Sequence, residues 1–195
     1  APLTVETQSD SKVYDGKPLT APGTVKGFVE GENAELQVTG KQTDVGSSKN
    51  TYKIVWTETT KADNYQVSET VGTLTVTDQS IEDGKKITVG TLGDVVYTGK
   101  NQKQEPAVTT KDGKTTLVKG TDYTLSYSED TKNVGEVTVT VTGKGNYSGK
   151  VQRKYQITKA PLTVTTEGAT RAYNGQPLTA PGTVKGFVEG ENAEL

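Results

Sequence analysis

The chain has 195 residues, with 22 Lys and Arg, 24 Asp and Glu, a formal net charge of −2, and no cysteine, histidine or methionine. Disulfides, thiolate–imidazole metal sites, cysteine nucleophiles and imidazole acid–base chemistry are thereby excluded, and the charge does not suit a nucleic-acid or membrane-surface binder. No apolar run is long enough to span a bilayer, and the abundance of threonine, valine, glycine and tyrosine favours strands and tight turns over helices.

Along the chain, "SKVYDGKPL" (11–19) is the first landmark. Its tyrosine supplies an apolar body with a hydroxyl that can reach a buried carbonyl. The glycine two residues on permits a turn with positive φ. "GENAEL" (31–36) is the best helical candidate, one turn at most. Glu30, Glu32 and Glu35 there read as a solvated acidic turn, because the D-x-D-x-D-G calcium-loop pattern is absent. "TYKIVW" (51–56) alternates, with Tyr52, Ile54 and Trp56 facing inward. Tyr14, Tyr97 and Trp56 are expected to be largely buried. "TDQSIEDGKK" (77–86) reads as a polar linker, with Asp78, Glu82 and Asp83 as the weaker reading of an interdomain calcium site.

Beyond it, "TTKDGKTTL" (109–117) carries Asp112-Gly113, a hairpin signal. "TDYTLSY" places Tyr123, Leu125 and Tyr127 on one face, and "EVTVTVTG" does the same for Val137, Val139 and Val141. "TGKGNYSGK" lacks the spacing of a phosphate loop and reads as a turn between strands. "KVQRKYQIT" alternates Val151, Arg153, Tyr155 and Ile157 against polar neighbours, with Arg153 at a sheet edge or snorkelling.

The chain repeats itself. Residues 1–36 align without gaps to 160–195 at an offset of 159; the differences fall between Glu6 and Lys17, and Pro18–Leu36 returns unchanged. Shorter echoes divide that period in two. "SKVYDGKPL" returns as "DVVYTGKNQ" and "TRAYNGQPL", "TDVG" as "KNVG", "ADNYQ" as "KGNYS", and "GTLTVT" matches "RKYQIT". The expected organisation is a β-module at 1–80, a diverged β-module at 81–159, and the truncated first half of a second copy of the first module at 160–195. The fold class is all-β: tandem small immunoglobulin-like β-sandwich modules, with a helix-poor β-grasp as the alternative. The last segment lacks counterparts of 37–78. It is therefore expected to be ordered by borrowing its missing half from a neighbouring molecule or further chain, with Phe187, Val188 and Leu195 buried only then.

Y-D-G-K-P-L, G-F-V-E-G-E-N, V-G and N-Y in this order resemble the MBG/YDG-type repeats of bacterial surface adhesins, Gram-positive in kind. G-T-D-Y-T-L-S-Y, N-V-G and G-K-G-N-Y-S-G resemble a sister subtype, which departs at Lys100-Asn101-Gln102, where the other copies carry a proline and a leucine plug. The resemblance implies tandem β-modules in large secreted or wall-anchored proteins. Some relatives carry mucin-binding labels, and none has shared catalytic residues.

The chemistry adds no site. Without histidine no usual serine triad exists, and no Lys, Asn and acid suited to an isopeptide bond can be named. No catalytic, metal or cofactor residue is assigned, and no enzyme activity is expected. Lys144, Lys150 and Lys154 are candidates for a polyanion patch, against a solvated sheet face. Residues 1–80 hold 7 Lys and Arg against 11 Asp and Glu, and residues 81–159 hold 13 against 9, so charge alternates from −4 to +4. The functional expectation is an extracellular, non-catalytic stalk whose partners are neighbouring repeats. The rival is that the modules themselves bind host glycan or mucin through exposed tyrosines around a concavity.

Overall fold

The computed structural model describes residues 1–194, and their architecture is nearly all β and sandwich-like. Residues 2–77 contribute β1 (Pro2–Thr7), β2 (Asp10–Val13), β3 (Gly23–Lys26), β4 (Ala34–Val38), β5 (Gly46–Lys49), β6 (Tyr52–Trp56), β7 (Gln66–Thr70) and β8 (Thr73–Thr77). They form a sheet β3-β1-β7, a sheet β2-β8-β5 and a ribbon β4-β6, with β1 parallel to β7 and β2 parallel to β8. The period-two pattern of β1 explains its place: Leu3, Val5 and Thr7 are buried, while Pro2, Thr4 and Glu6 face out.

"GENAEL" is not a helical turn. A turn at Val29–Glu32 leads into β4, where Ala34, Leu36 and Val38 pair with Trp56, Ile54 and Tyr52. That non-local ladder overrides the weak local helix preference. Helix is confined, among the described residues, to a 3-10 turn at Ala62–Asn64, so no helix crosses a sheet.

Residues 79–158 contribute β9 (Gln79–Ser80), β10 (Ile87–Val89), β11 (Val95–Val96), β12 (Val108–Thr110), β13 (Tyr123–Tyr127), β14 (Gly135–Gly143), β15 (Tyr147–Ser148) and β16 (Lys150–Thr158). The sheet β11-β16-β14-β13 faces the ladder β10-β12, and Val89 and Val108 pack with Tyr123 and Val141 between them. A second cluster joins Val137, Val139, Tyr155 and Ile157. The expected hairpin at Asp112-Gly113 forms, closed by the Thr110 N–H to the Thr115 carbonyl at 2.8 Å. The expected linker is partly structural: β9 pairs with β15, and Ile81 is 1% exposed within the core.

Corresponding backbone bonds recur in the two sets of strands. The N–H of Tyr14 donates to the Thr77 carbonyl and that of Tyr97 to the Thr158 carbonyl, both at 2.8 Å. The N–H of Leu19 meets the Gln42 carbonyl at 2.7 Å, and that of Gln102 meets the Thr131 carbonyl at 2.8 Å. Leu19 is a buried plug, as expected. Gln102 takes its place in the middle strands and turns its side-chain amide to the Val96 carbonyl at 3.0 Å.

Residues 160–194 form a single hairpin, β17 (Thr163–Thr166) with β18 (Gly182–Lys185), in the register that β1 keeps with β3. Its apolar face is uncovered: Leu162, Val164 and Leu178 are about half exposed. Phe187 and Val188 are half-buried, and Leu195 lies outside the described residues. Among the described residues, the segment's polar contacts with the rest of the chain are to Tyr97 and Lys100. The segment meets the middle strands through these two side chains and keeps its apolar face open, as a half-module without its partner strands would.

Candidate functional site

Tyrosines and one tryptophan carry the binding expectation, and their placement decides what the surface can do. Tyr65, Tyr123 and Tyr155 are buried. Tyr14, Tyr97 and Trp56 are half-buried, not largely buried as expected: Trp56 lines an open groove, and Tyr14 and Tyr97 lie at the ends of their strand sets. Most hydroxyls are occupied: Tyr65 donates to Glu32, Tyr127 to the Gln104 carbonyl and Tyr155 to the Gln102 carbonyl. Tyr173, the third tyrosine of this turn type, is 97% exposed. The turn glycines Gly16, Gly99 and Gly175 have φ of 76°, 72° and 74°, which the sequence pattern anticipates.

Two surfaces result. The first is an open groove of about 700 Å³ between β6 and β7, lined by Tyr52, Ile54, Trp56, Val67, Glu69 and Val71. Trp56 stacks on Tyr65 at 5.8 Å, and Phe28 meets both edge-on. The Tyr52 hydroxyl donates to Glu69 across the groove, and burial, aided by that bond, pushes its pKa up to about 12.

The groove exists because two strands stop short. In the middle strands β14 and β16 pair without a break, including Val139 opposite Arg153. The equivalent rung of the first set is Asn50 opposite Gly72, where the Asn50 N–H donates to the Gly72 carbonyl at 2.8 Å. Beyond that rung β6 and β7 diverge, β6 to pair with β4 and β7 with β1. A Cβ at Gly72 would lie 2.3 Å from the Gln8 carbonyl carbon, so only glycine fits. Asn50 is fully buried, and its Nδ2 donates to the Gln8 carbonyl at 2.9 Å and the Ala21 carbonyl at 3.0 Å. Arg153 does the same work from the opposite strand: its guanidinium donates to the carbonyls of Val89, at 2.8 Å, and Gly90, at 3.2 Å. Arg153 reaches across to the facing ladder from a stretch of β16 that β11, paired only at Ile157–Thr158, does not border. Sequence reasoning missed Asn50, whose only signal was an asparagine interrupting alternation.

The second surface is the joint between the first two strand sets. The Tyr14 and Tyr147 rings meet edge-to-face at 5.5 Å. The Asn146 Oδ1 accepts the Val45 N–H at 2.8 Å, and its Nδ2 donates to Asp44 Oδ1 at 2.9 Å. Burial, with the adjacent Tyr14 and Asp122, pushes the Tyr147 pKa up. Charge alternation plays no part here. It contributes one exposed pair further on, Lys100 to Glu189 at 3.6 Å, beside the Tyr97 hydroxyl donating to Glu191.

The acidic and basic candidates disperse. Glu32 accepts from Tyr65, Glu82 accepts the Lys150 N–H and Asp83 accepts the Lys85 N–H. Among the described residues, no three acidic side chains converge as metal ligands would. Lys144 donates to the Gly120 carbonyl, Lys154 pairs with Glu136, and Lys150 is exposed. No helix among the described residues is long and apolar enough to cross a membrane.

Residues 3–75 match the family profile described as the MBG domain (YGX type). No curated protein matches the chain.

Proposed function

We propose, on the premise that residues 3–75 are an MBG-type repeat, that the chain is a stretch of a non-catalytic tandem array. It serves as an elongated stalk in a bacterial surface adhesin, outside the cell. The observation that carries this reading is the joint. Asn146 bonds both Asp44 and Val45 while Tyr14 packs on Tyr147, so the end of one module is fastened to the start of the next. Two side chains that bridge modules suit a spacer, which must hold direction from one unit to the next.

Small-angle scattering and residual dipolar couplings on the full chain test it. The expected outcome is an extended particle, each module adding roughly 35–40 Å, with one shared alignment tensor for both modules. A compact particle, or modules that tumble independently, would overturn the stalk.

The groove favours a second reading, in which the first module binds host glycan or mucin. Tyr52 and Trp56 present aromatic faces beside Glu69 in a concavity open to solvent. Titration of mucin oligosaccharides while following the Trp56 indole resonance separates the two: a saturable shift supports binding, and an unmoved indole removes it.

A further inference from the structure

The joint between the first two modules is built from groups that the chain carries again elsewhere. On the first module the contacts come from Tyr14, Asp44 and Val45, and on the second from Asn146 and Tyr147. The far end of the second module presents Tyr97, Asn133 and Val134 in the corresponding places, since Val45 leads into β5 at Gly46 as Val134 leads into β14 at Gly135. The near end of the first module presents Asn64 and Tyr65, the counterparts of Asn146 and Tyr147.

In these second sets Val134 and Asn64 carry free polar groups, while Tyr65 is already held by Glu32, Phe28 and Trp56. The Val134 N–H has no acceptor among the described residues, and Val134 is 48% exposed. The Asn133 Nδ2 donates to Asp130 Oδ2 at 2.8 Å, which leaves its Oδ1 to accept as Asp44 Oδ1 does. The Asn64 side chain is exposed and makes no hydrogen bond among the described residues, while its carbonyl accepts from the Ala1 nitrogen as the Asn146 carbonyl accepts from the Gln79 N–H. The opening strand of each module therefore starts beside this asparagine.

We infer that the surface of Tyr97, Asn133 and Val134 docks the Asn-Tyr end of a following module of the first type. The exposed Asn64 edge is its mate, so both kinds of junction in the array use the asparagine contact. This rests on the modular reading above. Two further observations fix the occupant. Tyr97 already reaches Glu191, the counterpart of the Glu32 that Tyr65 engages, so residues 188–191 stand beside the Tyr97 turn. A Cβ at Gly99 would come within 3.1 Å of Val188 Cγ2, which shows how closely the two approach. In a complete following module the new tyrosine takes Glu191, as Tyr65 takes Glu32, and the Tyr97 hydroxyl is released. The contact is largely uncharged, so it works between modules of either charge balance.

The test lengthens the full chain by repeating residues 37–78 after Leu195 and follows amide hydrogen exchange by NMR. Exchange at Val134 should slow about tenfold relative to the original chain, approaching Val45. Asn64→Ala in the appended copy should restore fast exchange at Val134, and Asn146→Ala should do the same at Val45. A Val134 amide that stays fast while the appended tryptophan shows a native indole resonance overturns the shared joint. An appended copy with no native indole resonance overturns the modular reading, and the joint with it.

Discussion

The first and second modules solve the same rung of their ladders in opposite ways. The second keeps its strands whole, with Val139 facing Arg153, and lets the arginine reach the carbonyls of the facing strand. The first uses Asn50 for those carbonyls and needs Gly72 opposite, and beyond the rung its strands separate. The shared requirement is a donor for the carbonyls of Gln8 or Gly90, which packing would otherwise strand. The cost of the asparagine solution is an unsatisfied Asn50 Oδ1 and a half-open core, and its product is the groove.

The largest expected effect is on the unbroken side. Tyr155→Ala removes a side chain that is 2% exposed from the centre of β16 and should cost the second module about 3–5 kcal/mol. Leu74→Ala, at the equivalent position of the first module, should cost about 2–5 kcal/mol. The chain's single tryptophan, Trp56, lies in the first module, so its fluorescence in a urea melt reports that module alone, while circular dichroism reports both. Tyr155→Ala should shift the dichroism melt and leave the tryptophan transition in place; a matching tryptophan shift would mean that the cores are one.

The rung itself comes next. Asn50→Ala and Arg153→Ala each leave buried carbonyls without donors and should cost about 1–3 kcal/mol in their own modules. If Arg153→Ala is neutral in a melt, the equivalence of the two solutions fails. Gly72→Ala should cost a similar amount, about 1–3 kcal/mol, through collision with the Gln8 backbone.

The smallest effect is confined to the groove. The Tyr52 phenol is raised from 10.0 to about 12, chiefly by burial and then by Glu69. Below the unfolded value both states are protonated and the contribution is complete. Above it the unfolded chain ionises first, so stability falls as pH rises through about 12. Stepwise alkaline titration, read by tyrosinate absorbance, should show late ionisation that Glu69→Gln brings earlier. An unchanged titration in that variant would remove Glu69 as a cause.

Alternation made most strands legible, because Val137, Val139 and Val141, or Leu3 and Val5, announce a buried face two residues at a time. What stayed illegible depends on distant partners. "GENAEL" becomes a strand at 34–38 only because β6 lies beside it; the copy at 193–194, without that partner, is not a strand. Leu19 is 7% exposed and its identical-context copy Leu178 is 49% exposed, since the core that receives Leu19 includes Leu74 and Val76. The joint was foreshadowed as repeated N-Y and V-G landmarks, but their meeting across modules is a matter of geometry that no local pattern encodes.

The parallel ladders have a mechanical consequence. In each module the opening run of chain lies alongside the closing run and points the same way. Tension applied at the two ends therefore slides these runs past one another. The bonds between them are strained together, in shear, instead of parting one at a time as in a zipper. The first module opposes sliding with parallel registers of five and four residue pairs, Pro2–Glu6 and Asp10–Val13. The second has two pairs in each, Gln79–Ser80 and Val95–Val96. Under load the strands of residues 79–158 should therefore part before those of residues 2–77. An alternating array would then pay out length from every other unit while the units between stay folded.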